Sequence, residues 1–166
     1  MGRGRDEERL AWGCTSVLHG SFTVARDLNA APARVWDAYA NADVRSAWRR
    51  LPGTSVLDLD FRVGGWERLT GISEATGTAE TIASHALFLD IVAGERIVSA
   101  HEVLLDGVRR WASLISIAFE PTETGTRVTH TDQYTFLAWA DDGAHDQAHL
   151  RGSTQLSFNA LAALLE

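Results

Sequence analysis

From about residue 55 to residue 137 the chain is one alternating run of apolar and polar side chains after another, each closed by a turn. Period two predicts half-buried strands, and a chain with this many in succession must build a sheet with one face to cover. The runs fall near 55–62, 66–72, 79–91, 95–105, 111–121 and 126–137. Gly64-Gly65, the 73–77 stretch, Ala93-Gly94, Asp106-Gly107 and Thr124-Gly125 punctuate them. Asp106-Gly107 is the sharpest hairpin signal of the set. One further alternating run precedes them, from Ser16 to Leu28, with Leu18, Gly20, Phe22, Val24 and Leu28 on one side.

What flanks the six runs has a different period. Asn29-Ala30-Ala31-Pro32 reads as a helix start, and Val35, Trp36 and Tyr39 then recur at three-to-four spacing. A second short helix is predicted from Ala42 to Trp48, stopped by Leu51-Pro52-Gly53. From about Gly143 to Leu165 the chain is helical again, with Leu150, Phe158, Leu161 and Leu165 along one side and Gly152 as its weak point. The order strand, two short helices, six strands, long helix predicts an α+β domain. A curved antiparallel sheet of seven strands closes around the last helix, and the short helices plug one end. A curved sheet and one helix rarely fill the space between them, so a cavity is expected. Residues 1–14, rich in Arg, Asp, Glu and Gly, are expected to form a flexible polar tail, and 15–166 a single domain.

Charge and composition exclude several function classes. The net charge of −7 disfavours nucleic acid and anionic membrane as partners. The basic residues are fifteen Arg and no Lys, which with the abundant Ala and Gly suits a GC-rich bacterial genome. Cys14 is the one cysteine, so there is no internal disulfide framework. No apolar run is long enough to span a membrane, and the charged start lacks the apolar stretch of a signal peptide. The expectation is a cytoplasmic protein, monomer or homodimer.

The residues also match a known pattern. "FTVARDLNAAPARVWDAYAN" (22–41) resembles the opening strand and helix of the SRPBCC superfamily, the START-like, pollen-allergen-like helix-grip group. "LDFRVGG" (59–65), "DIVAGERIV" (90–98), "FEPTETGTRVTHT" (119–131) and "NALAALL" (159–165) are similar to its branch of heat-shock-protein ATPase activator homologues. The resemblance runs from about 18 to 165 and implies the helix-grip fold. It says little about function, since the superfamily holds carriers, receptors, cyclases and dehydratases.

Strand alternation sorts the side chains by face. The expected inward sets are Glu67 and Leu69; Ile82, Ser84, Ala86 and Phe88; Ile97, Ser99, His101, Val103 and Leu105; Trp111, Ser113, Ile115, Ile117 and Phe119; and Val128, His130, Asp132, Tyr134 and Phe136. Counting back from the turns puts Glu67, His101, Ser113 and Tyr134 in one row, with Asp132 one row away near Ser99. His101 and His130, with Glu67 and Asp132, are the candidate acid–base groups, because histidine titrates near neutrality and a carboxylate beside it orients the ring. In the resembling family a bulky aromatic, commonly Tyr, often stands at both histidine positions. Trp48 at the cavity mouth, Leu69, Phe88, Ser99, Trp111, Ser113, Ile115, Tyr134 and Phe158 are the expected ligand contacts.

Other chemistries find less support. His101, His130 and Asp132 are permissible metal ligands, but the two histidines sit on different rows. His145 and His149 have helical metal-site spacing at an exposed helix start. No metal or cofactor is expected. Ser113 and Cys14 lie in no nucleophile motif, and Gly64-Gly65 is a bend rather than a phosphate loop. Binding of a small apolar or aromatic, polyketide-like ligand is the leading expectation. The alternatives are a cyclase or dehydratase of secondary metabolism in the same cavity, and a co-chaperone-like interaction domain.

Overall fold

β1 (Leu18–Leu28) pairs antiparallel along its whole length with β7 (Thr126–Phe136), Leu18 opposite Phe136 and Leu28 opposite Thr126. The computed structural model describes residues 17–51, 53–74 and 77–166; the expected tail at 1–14 and Cys14 lie outside these. Pro32 opens α1 (Pro32–Ala40), where its fixed φ suits the first turn, and Val35, Ala38 and Tyr39 are its buried face. Asn41 ends that helix and caps α2 (Ala42–Trp48), its side chain accepting from the Asp43 and Val44 amides.

The chain then re-enters the sheet at the opposite edge. β2 (Gly53–Leu59), β3 (Trp66–Ser73), β4 (Glu80–Val92), β5 (Arg96–Leu105), β6 (Val108–Pro121) and β7 follow as antiparallel neighbours. The sheet order is β1-β7-β6-β5-β4-β3-β2. α1 and α2 therefore bridge the two edges of a seven-stranded sheet. Asp106 and Gly107 both have positive φ, 48° and 78°, the geometry of a two-residue hairpin turn. Two irregularities interrupt the ladders: Leu89 is an extra residue in β4 against β5, and Arg110 one in β6 against β5. Such bulges bend a strand and raise its twist, which helps this sheet to curl.

α3 (Ala144–Leu165) crosses the concave face and buries Leu150, Phe158, Leu161, Ala162 and Leu165. Phe158 and Leu161 join Val35, Phe88, Ile97, Phe119 and Val128 in the main core. Leu150 belongs to a second cluster with Phe22, Tyr134 and Phe136. The α+β helix-grip architecture expected from the sequence is thus the one observed. Among the described residues no helix is long and apolar enough to cross a membrane.

Candidate functional site

Cross-strand pairing fixes the inner face row by row. Glu67, Ala86, His101, Ser113 and Tyr134 stand side by side across β3 to β7. The next row holds Phe88, Ser99, Ile115 and Asp132, and the one after it Ile97, Ile117 and His130. Between these rows and α3 lies a cavity of about 490 Å³, inside the range of roughly 300–1,000 Å³ usual for small-molecule sites. Glu67, Leu69, Phe88, Ser99, His101, Trp111, Ile115, His130 and Asp132 wall it from the sheet, Trp48 from α2 and Phe158 from α3.

Three expected site residues need correction. Tyr134 has the right parity but does not reach the cavity. It lies across Gly20, directly opposite on β1, where a Cβ would collide with the phenol, and its ring meets those of Phe22 and Phe136. The missing side chain at Gly20 opens a slot that an aromatic ring fills better than the cavity does. Ser113 is buried beside Asp132 and likewise does not wall the cavity. Trp48 is a deep wall rather than a mouth residue: it is 4% exposed, its indole N–H donates to the Ala38 carbonyl at 2.8 Å, and its ring packs edge-on against Tyr39.

The electrostatics differ from a histidine–carboxylate pair. Glu67 is not a partner of His101; it accepts from Arg45 Nε at 2.6 Å and from Arg49 Nε at 3.4 Å. Burial alone would raise the Glu67 carboxyl, but the two arginine charges and the Arg45 hydrogen bond outweigh it and hold it at about 2. His101 instead bonds Ser84 Oγ through Nε2 at 2.7 Å. Burial, then the Arg49 charge, pushes its pKa down to about 4. Burial and the same cations lower His130 to about 3; it packs between Phe22 and Phe158. Both imidazoles are therefore neutral at pH 7 and weak bases. Asp132 moves the other way. Burial raises it to about 6, with the nearby Ser113 hydroxyl pulling slightly down. The group expected to titrate near neutrality is a histidine; the one that does is an aspartate.

Several lining residues have no signal in strand parity. Arg45 and Arg49 stand on and just after α2, one helical turn apart. Arg45 is buried, with its guanidinium 4.8 Å from the ring centres of both Tyr39 and Trp48. Arg110 should point outward beside Trp111, but the β6 bulge turns it in to meet Asp146 of α3 at 3.0 Å. The i, i+4 pattern 45/49 and the Asp146 position in the first turn of α3 could have been noticed, but nothing in the chain announces the bulge.

The cavity wall carries polar atoms that no described residue satisfies. Among the described residues, Arg45 Nη1, His101 Nδ1, Trp111 Nε1, His130 Nε2 and Asp132 Oδ1 are all buried without a hydrogen-bond partner. Leaving one such group unpaired costs about 1–3 kcal/mol, so five on one wall mark a place for a further partner. Chemically the wall offers one guanidinium donor, one indole donor, two neutral imidazoles and a carboxyl that ionises near pH 6. His145 and His149 stay at the exposed start of α3, their rings 6.5 Å apart.

The family model for Activator of Hsp90 ATPase homolog 1-like protein matches residues 29–166. Among solved structures, an uncharacterised protein from Rhizobium leguminosarum is 33% identical, with a TM-score of 0.76, over 90% of this chain and 96% of its own. The Mll3558 protein of Rhizobium loti is 32% identical with a TM-score of 0.73, over 90% and 99%. DynU16, a protein of the dynemicin biosynthetic locus, is 15% identical with a TM-score of 0.63, over 87% of this chain and 46% of its own, a likeness of fold alone. No curated protein matches the chain.

Proposed function

Because the chain belongs to the Activator of Hsp90 ATPase homolog 1-like protein family, whose fold encloses the cavity just described, we propose that it binds a small apolar or aromatic molecule carrying a polar group. It would act in the cytoplasm as a carrier or receptor. The observation that carries this is the set of five buried polar atoms, unpartnered among the described residues, on a mostly apolar wall. A packed core has no use for them, whereas a ligand with a polar feature gains orientation from each. Apolar burial at about 25 cal/mol per Å² supplies the affinity, and the polar atoms supply the choice of ligand. Titration with a neutral naphthalene-type probe, following Trp emission, should saturate at one molecule per chain, since Trp48 and Trp111 wall the cavity. Ser99→Phe, which fills the middle row, should abolish that saturation while the far-ultraviolet dichroism stays unchanged. A wild type that binds no probe, or a Ser99→Phe variant that binds as well as wild type, contradicts the proposal.

Asp132 favours a second function, proton transfer of the cyclase or dehydratase type. A buried carboxyl whose pKa lies near 6 can take up and release a proton close to neutral pH, and among the described residues Oδ1 has no partner to hold it back. The neutral imidazoles of His101 and His130 would then orient substrate oxygens. Glu67 takes no part in proton transfer, because its charge is fixed by two arginines. Under this mechanism Asp132→Asn lowers turnover by ~10²–10⁴-fold, and His101→Phe lowers it less. Equal losses in the two variants would return the proton to the histidine.

A further inference from the structure

The two arginines of α2 and its end create a local charge imbalance inside the cavity. Arg45 and Arg49 both turn their Nε edge to the single carboxylate of Glu67, leaving their outer nitrogens uncommitted to it. Among the described residues Arg45 Nη1 is buried without a partner, and the Arg45 side chain is 9% exposed. Of those residues two cations face one anion, so this end of the cavity holds one surplus positive charge.

The neighbouring elements do not cancel it. His101 from β5 is neutral and bonded to Ser84 of β4, and Tyr39 from α1 offers a ring face beneath Arg45. Arg50, at the cavity edge, is exposed, so solvent screens its charge and the buried surplus stays at one. Glu80 is paired with Ser73, six residues along β3 from Glu67, or roughly 20 Å at strand rise. Asp132 stands on β7, four strands away, and Asp146 is held by Arg110. Arg45 and Arg49 share one carboxylate, so their burial is only partly compensated, and stacking of Arg45 on two aromatic rings offsets only part of the remaining cost.

We propose that the Arg45–Arg49 end of the cavity is a carboxylate subsite, and that the ligand is an apolar or aromatic monocarboxylic acid. Its body lies along the inner face of the sheet. One surplus charge matches a monoanion; a phosphate dianion would overshoot it and would carry more hydration into an apolar space. Guanidinium also suits a planar carboxylate, which it can grip with two parallel N–H donors. The assignment rests on the cavity being a ligand site, and it adds the chemistry of one end.

The test is calorimetric, at pH 7.5, with 2-naphthoate and 2-naphthamide, which share a ring system and differ in charge. Wild type should bind the acid at least ~10-fold tighter than the amide, a charge-assisted hydrogen bond against a neutral one. Arg45→Gln should erase that preference, the acid losing at least ~10-fold in affinity and far more than the amide. Arg49→Gln keeps the Arg45–Glu67 bond and so guards against loss of fold; it should narrow the preference as well. Equal affinity for acid and amide in the wild type overturns the subsite and leaves the cavity proposal standing, as does a preference that survives both substitutions. No binding of either compound overturns both.

Discussion

Asp132 is the side chain whose environment most affects how the protein responds to pH. Its folded-state pKa is raised to about 6 from the usual 3.8 of an aspartate, so the folded chain holds a proton that the unfolded chain has already released between those values. Ionised Asp132 therefore destabilises the fold in full above pH 6, and the penalty vanishes below about pH 4. Asp132→Asn should raise thermal stability at pH 8 by on the order of 1–3 kcal/mol, one pKa unit being about 1.4 kcal/mol, and the gain should disappear by pH 4. A constant gain across that range would mean that packing rather than charge is responsible. Gly20 offers a test of a different kind. Its missing Cβ makes room for the Tyr134 ring, so Gly20→Ala should cost ~1–3 kcal/mol in chemical unfolding, as overpacking does. An unchanged midpoint would show that the ring moves aside freely.

At the level of elements, alternation makes most of the inner face legible in the sequence. The predicted strands match β1 to β7 closely, and the row of Glu67, His101, Ser113 and Tyr134 is present as counted. Period two is enforced by the pleat, so parity survives wherever a strand is regular. It fails where regularity fails. The extra residue in β6 swings Arg110 inward, and the bare backbone at Gly20 draws Tyr134 sideways; both depend on three-dimensional fit. The arginines of α2 escaped because strand parity says nothing about a helix laid over the sheet, and their contact with Glu67 spans some twenty residues of chain. That contact is also why a histidine–glutamate pair could not be foreseen to be broken. The Arg110–Asp146 pair ties β6 to the start of α3 at the cavity edge. Arg110→Met should speed ligand dissociation several-fold, as loosened edges act mostly on off-rates, with little change in association. Stopped-flow release of a bound fluorescent probe measures both. Further down the same helix, Leu161 is fully buried, and Leu161→Ala should destabilise the fold by ~2–5 kcal/mol.

For the molecule as a whole, the buried titratable groups set opposing pH trends. His101 and His130, lowered to about 4 and about 3 from 6.5, bind fewer protons folded than unfolded, so stability falls as pH drops below about 6.5. Glu67, held at about 2, adds stability above the usual glutamate value of 4.5 that is lost as pH falls towards 2. Two histidines outweigh the one aspartate, so melting temperature should decline steadily from pH 6.5 to pH 4, and His130→Phe should shift that decline to lower pH. The same two rings report directly on the central claim, that the space between sheet and α3 takes a ligand. The measurement is the side-chain nitrogen and carbon NMR of ¹⁵N,¹³C-histidine-labelled protein, recorded with and without a saturating neutral naphthalene probe. Occupation of the cavity should move the His101 and His130 ring signals and leave those of His19 and His85, on the outer face, in place. Binding that leaves His101 and His130 unmoved, or moves only the outer histidines, would put the ligand somewhere else and contradict the account.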